Sequence, residues 1–478
     1  MTASSPVLGG RTGRLLGLWA GFGFTRVAQG LLLGAIVALP LSAAATLTVS
    51  FTLTLSQVLA AAAVSIGALG ALRGWLALPR RIAAAAATLV AAYLASALLG
   101  VDAGVPGQTA RAGHRDLVYI ADMVTGLAAV GLLVDARGTR FIKKAVACFA
   151  VAGVAAALYA IYQWFAQHYG WPLADLNNAV NSDGFTLGHV SQGAGLFGWE
   201  RVRGTFKEPL FLGSFLVITL PFVGSLWFAG SRRLRPLVAA GIGAIAVALL
   251  LTVSTLAWGT AVVATLVVAL ILAIEGGHVR AAAGVAAVGA VVAIAAPIMF
   301  ADPAALSGLT GRSDEALQTT SANRVDAWRS ALRRWELKPV LGFGPGQSAV
   351  QLAYRPTVLA KGGQPIVYGS AQGLWAASLV DAGLIGLFGW TAVLASLLAY
   401  AIRGAFTTPR PLLLGGVAAS VVAVLVGQLS ADRFDIRVWL ALGIMASAAR
   451  YYRGEPSSDQ DEQAQQASAQ HPRTRMLR

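Results

Sequence analysis

From Val27 to Tyr451 the chain is a succession of apolar runs about twenty residues long, joined by polar connectors. Helical runs of that length match the hydrocarbon thickness of a bilayer, and lipid admits only segments whose backbone groups bond to one another. The chain therefore reads as an all-α polytopic membrane protein. Its runs are continuous and rich in Ala, Leu, Val and Gly, without the alternation that a transmembrane β-barrel strand requires. Composition supports this: 12% of the 478 residues are charged, against about 25% in an ordinary soluble domain.

About twelve spans are expected, near residues 28–48, 52–72, 82–100, 117–135, 145–165, 210–229, 236–254, 257–275, 281–300, 383–402, 411–429 and 437–451. Short connectors after every second span carry Arg73, Arg80 and Arg81, then Arg137, Arg140, Lys143 and Lys144, then Arg232, Arg233 and Arg235. By the positive-inside rule these face the cytoplasm. The expected organisation is a cytoplasmic N-terminus (1–27), a transmembrane domain (28–452) with outer loops at 166–209 and 301–382, and a disordered cytoplasmic tail (453–478). Much of the formal charge of +15 is thereby explained by topology, and no nucleic-acid partner is implied. Cys148 is the single cysteine, so no intrachain disulfide forms, and His114, His168 and His189 lack metal-ligand spacing. Neither metal nor cofactor is expected.

Basic residues in the outer loops are what the positive-inside rule leaves unexplained. One group is Glu200-Arg201-Val202-Arg203-Gly204-Thr205-Phe206-Lys207-Glu208-Pro209, directly before a span. The other is an amphipathic stretch, Ala322 to Leu337, with Val325, Trp328, Leu332 and Trp335 at helical spacing and Arg324, Arg329, Arg333 and Arg334 between them. Such a helix lies along the membrane surface or caps the bundle. Pro339 and Gly342-x-Gly344-x-Gly346 end it; with no strand before them, these glycines read as a turn and not as a nucleotide loop. Arginine presents a planar fork of donors that suits phosphate, so the two groups together would cradle a diphosphate. The plainer reading is a solvated or headgroup-binding face.

Three motifs in this order carry a resemblance. Arg201-x-x-Gly204-Thr205-Phe206 with Glu208-Pro209 leads into a span; Arg324-x-x-x-Trp328 is followed by Pro339-Val340-Leu341-Gly342-Phe343-Gly344; and Leu379-Val380-Asp381-Ala382-Gly383-Leu384-Ile385-Gly386 opens a later span. In sequence and spacing, over roughly residues 190–400, the chain resembles the O-antigen ligase and O-antigen polymerase family. The resemblance implies a multispan C-type glycosyltransferase-like fold. It also implies metal-independent transfer from a polyprenyl-diphosphate-linked oligosaccharide to a glycan or lipid acceptor, on the periplasmic face of the bacterial inner membrane. Arg201 and Arg324 are implied to contact the donor diphosphate, with Arg203 and Lys207 beside them. Where relatives carry a His-Asn pair before the glycine matching Gly383, this chain reads Gln372-Gly373.

Gln372 can orient an acceptor hydroxyl but cannot act as a base near neutral pH. The proton then goes to a carboxylate or directly to solvent; the candidate carboxylates are Glu208, Glu200 and Asp381, with Glu208 favoured for its place beside Arg201. Whether repeat units are polymerised or passed to another acceptor, in O-antigen or exopolysaccharide assembly, stays open. A transporter centred on an intramembrane carboxylate such as Asp122, and a non-catalytic envelope scaffold, are the rival readings.

Overall fold

The computed structural model describes residues 26–42, 44–48, 52–72, 80–100, 120–129, 140–177, 200–254, 257–262, 266, 326–354, 373–407, 411–430 and 436–452. The helices are α1 (Arg26–Val37), α2 (Leu55–Leu72), α3 (Arg80–Leu99), α4 (Ile120–Ala129), α5 (Arg140–Tyr169), α6 (Pro209–Ala229), α7 (Arg235–Thr252), α8 (326–335), α9 (Gln347–Tyr354), α10 (Leu374–Thr407), α11 (Pro411–Ser430) and α12 (Ile436–Tyr452). Among the described residues five helices are long and apolar enough to cross a membrane: α3, α5, α6, α7 with its preceding turn, and α10. The protein is thus a helical, multi-pass membrane protein. Most of the expected spans at 257–275 and 281–300 lie outside the described residues.

One expectation fails at the first span. Instead of running to residue 48, α1 stops at Val37, and a 3₁₀ turn over Leu39–Leu41 follows. Pro40 lacks the N–H that a continuing helix would use. Thr46–Thr48 and Thr52–Thr54 then pair as a short antiparallel hairpin, Thr46 opposite Thr54, because β-branched side chains favour extended backbone. The described fold is therefore not purely α-helical.

Helix α6 packs on α5, α7 and α11, while α10 packs on α3, α11 and α12. Phe149 on α5 lies against Phe215 and Phe222 of α6, with ring centroids 5.7 and 4.9 Å apart. Lipid tails are as apolar as these side chains, so helices associate in a membrane by close packing. At Gly153 on α5 a Cβ would lie 2.1 Å from Thr219 Cγ2 on α6, so only glycine allows this approach.

Helices α10 and α12 run parallel: Trp390 stacks on Trp439 at 5.6 Å, and Gly404 approaches Ala449 further along both. The thirty-residue α5 is about 45 Å long, against about 30 Å of hydrocarbon. Tyr169 and Trp171, where α5 ends, are exposed and stacked at 5.8 Å, as suits an aromatic belt at a membrane boundary.

Candidate functional site

The first motif, between the loop after α5 and the start of α6, folds as an irregular turn. Gly204 has φ +59°, a left-handed conformation that favours glycine, and Phe206 N–H closes the turn on the Arg203 carbonyl (3.1 Å). With no strand or helix to pair its backbone, the turn takes its partners from elsewhere. Gln163 of α5 accepts from the N–H groups of Arg203 (3.0 Å) and Gly204 (2.7 Å). Asn177 donates to the Phe206 carbonyl (3.0 Å), and Thr205 Oγ1 donates to the Pro40 carbonyl.

Arg201, half-buried, donates from Nε to the Thr252 carbonyl at the end of α7 (2.8 Å). Arg203 is only 4% exposed and forms an ion pair with Asp175. Lys207 and Glu208 are exposed. Glu208 is the N-cap of α6, and its carbonyl accepts from Phe211 (3.1 Å) and Leu212 (3.3 Å); its side chain makes no cap bond.

The second and third motifs meet in one construction. Inside α10, Gly383 adopts φ +60°, ψ −155° and breaks the helix. In an unbroken helix Leu384 and Ile385 would donate to the carbonyls of Val380 and Asp381, four residues back. Here those carbonyls accept instead from Phe343 (2.8 Å) and Gly344 (2.9 Å), while Leu384 and Ile385 donate to Pro339 (2.9 Å) and Val340 (3.4 Å). The loop thus supplies partners for all four of these groups.

Gly342, Gly344 and Gly346 all have positive φ, as a turn that closes the preceding helix requires. Asp381 is completely buried: its carboxylate accepts from the N–H of Ser348 and its carbonyl from Ser96 Oγ (2.6 Å). Lys338 donates to the Gly100 carbonyl (2.9 Å) and lies over the Phe343 ring.

Helix α8 packs on the bundle through its small side chains. Ala327, Ser330 and Ala331 are buried, and the two alanines join Phe343, Leu352, Ala376, Ala377 and Val380 in a small core of their own. Trp328 and Leu332 are each 37% exposed. Small side chains let α8 sit close on α10, leaving the large apolar ones facing outward, as on a helix in the membrane interface. Arg329 and Arg333 are exposed, Arg329 with Asp326 at 3.4 Å.

Both constructions stand at one end of the bundle. Arg437, in the first turn of α12, donates to the Phe211 carbonyl (3.1 Å) and lies 5.4 Å from the ring centroids of both Phe206 and Phe211. That fixes the arginine turn at the start of α12. Gly383 precedes Trp390 by seven residues of the parallel α10, and Arg437 precedes Trp439, the partner of Trp390, by two, which places the interlock about 7 Å beyond Arg437 in the same direction. Arg324 and Gln372 lie outside the described residues.

The residues that hold the turn from elsewhere in the chain differ in how visible they are in the sequence. Gln163 is a buried amide in an apolar helix, and intramembrane polar groups are a signal in their own right. Arg437 is a basic residue at a span end that the connector pattern assigns to the outside. Asp175 carried no local signal. Asp122 is buried and accepts from the Gln57 amide at 3.3 and 3.1 Å, a local pairing that accounts for it. Among the described residues no group of acidic, His or Cys side chains could hold a metal ion.

Residues 240–391 match the O-antigen ligase family, a segment that contains most of α7, α8, the interlock and the first half of α10. The resemblance seen in the motifs is thereby borne out, although the arginine turn at 201–206 precedes the matched segment. No curated protein and no solved structure matches the chain.

Proposed function

Taking residues 240–391 as an O-antigen ligase domain, we propose that this protein joins glycans at the periplasmic face of the bacterial inner membrane, using a polyprenyl-diphosphate-linked oligosaccharide as donor. An acceptor sugar or lipid hydroxyl attacks the anomeric carbon. The bond from that carbon to the diphosphate oxygen breaks, and the hydroxyl proton leaves for a base. The leaving group needs charge stabilisation more than covalent help, which suits fixed guanidinium groups in a partly desolvated site. Arg201, Arg324 and the basic face of α8 supply it, with Lys207 at the mouth. Arg203, committed to Asp175, acts by shaping the turn.

Glu208 is the proposed base. It is exposed at the start of α6, whereas Asp381 is enclosed by the interlock and holds Ser348 in place. Gln372 orients the acceptor. The observation that carries this reading is the convergence of two separate arginine-bearing segments at one end of the bundle, where connector charge does not explain them.

Deleting the gene and resolving surface glycan by gel tests it. Loss of anchored long glycan with lipid-linked polymer accumulating identifies a ligase; a single capped repeat unit identifies a polymerase; unchanged glycan refutes the proposal. Sidedness is checked with Leu173→Cys, at a site 57% exposed, in a Cys148→Ala background. An impermeant thiol reagent should label it in cells with an intact inner membrane. Glu208→Gln removes the charge at an exposed position, so turnover should fall on the order of 10²-fold or more while thermal stability stays near wild type.

A further inference from the structure

Gln163 is completely buried near the end of α5, in a run that is otherwise mostly apolar. Both ends of its amide are engaged. Nε2 donates to the Ala174 carbonyl (3.0 Å), and Oε1 accepts from the N–H groups of Arg203 and Gly204. Two successive N–H groups that converge on one point, the second residue in the left-handed region, form a backbone nest of the kind that captures anions. Here the nest is filled by a neutral amide oxygen. These two N–H groups are thus spent on α5 and not offered to an anion.

The same amide ties down the loop that carries the turn's other partners. Ala174 precedes Asp175, which pairs with Arg203, and Asn177, which donates to the Phe206 carbonyl. One side chain therefore registers both halves of the clamp against a membrane helix.

We propose that Gln163 is a positioning residue for the donor site: it sets the conformation in which Arg201 meets a diphosphate, without touching the donor itself. This rests on the reading of Arg201 as a diphosphate ligand. An apolar residue of similar size at position 163 would fill the space but leave two buried N–H groups without an acceptor, and the turn would reorganise to satisfy them. A carboxyl there keeps an oxygen for both N–H groups.

The test uses the full chain in detergent, with farnesyl diphosphate as the probe of prenyl diphosphate binding and thermal unfolding measured on the same preparations. Arg201→Ala should weaken binding by at least about tenfold, and Gln163→Met by about tenfold at a melting temperature near wild type. Gln163→Glu should recover most of that loss. Wild-type affinity in Gln163→Met, with Arg201→Ala impaired, overturns the positioning role and leaves the donor-site reading standing. Wild-type affinity in Arg201→Ala removes that reading and the proposal with it. Should Gln163→Met fail to fold, Gln163→Asn decides, since its amide is one methylene short of the nest. Weakened binding at unchanged melting temperature supports the proposal, and unchanged binding overturns it.

Discussion

The arginine turn at 201–206 and the interlock at 339–344 and 380–385 stand at the same end of the bundle and are built on opposite principles. The turn is held largely by side chains that come from elsewhere: Gln163, Asp175, Asn177 and Arg437. The interlock is held mostly by main chain, four N–H and C=O groups exchanging partners across a broken helix, with glycine where no Cβ fits. A backbone-built joint has few adjustable parts and suits a rigid platform for α8. A side-chain-built turn is set by individual residues, and its geometry can be changed one residue at a time.

The strongest way to test that contrast is to put a methyl group into the interlock. In Gly383→Ala the new Cβ would lie 2.3 Å from the Val340 carbonyl oxygen, at a φ of +60°. Backbone strain and overpacking together should cost about 4 kcal/mol, read as a collapse of thermal stability in detergent. A stable Gly383→Ala protein would mean that the break in α10 does not depend on glycine.

Next in size is the ion pair. Asp175→Ala leaves the buried Arg203 without its carboxylate and should cost roughly 3 kcal/mol, the lower end of the range for breaking a buried pair, because Asp175 is about a third exposed. Replacing both partners by apolar residues, Asp175→Leu with Arg203→Met, should restore most of the stability. If glycan joining returns as well, Arg203 shapes the turn; if stability returns without activity, Arg203 is itself a donor ligand. Smallest is Arg437→Lys. It loses the stacked guanidinium between Phe206 and Phe211 and should cost about 1 kcal/mol.

What the sequence revealed follows the same division. The helical membrane class was legible because a twenty-residue apolar run has one solution in lipid. The helix-ending turn at Gly342–Gly346 was legible because Pro and Gly act locally. Pro40 is as visible, but within so apolar a run a single proline does not mark the end of a span, and the hairpin of Thr46–Thr48 and Thr52–Thr54 is hidden with it. The packed face of α8 is not legible in the apolar pattern, which Trp328 and Leu332 dominate, while close packing selects Ala327, Ser330 and Ala331. Partners such as Asp175 for Arg203, or Gln163 for Gly204, lie 28 and 41 residues away. Nothing in local periodicity specifies pairs at that separation.

The central claim is that Arg201 recognises a donor diphosphate through the fork of its guanidinium. The most direct measurement compares cells making wild-type or Arg201→Lys protein at equal membrane levels, for joined glycan and for lipid-linked donor. Lysine keeps the charge and loses the bidentate geometry. Joined glycan should fall by about tenfold or more, with lipid-linked donor accumulating. Wild-type glycan with no accumulated donor would contradict the account and leave the outer arginines as a face for lipid headgroups.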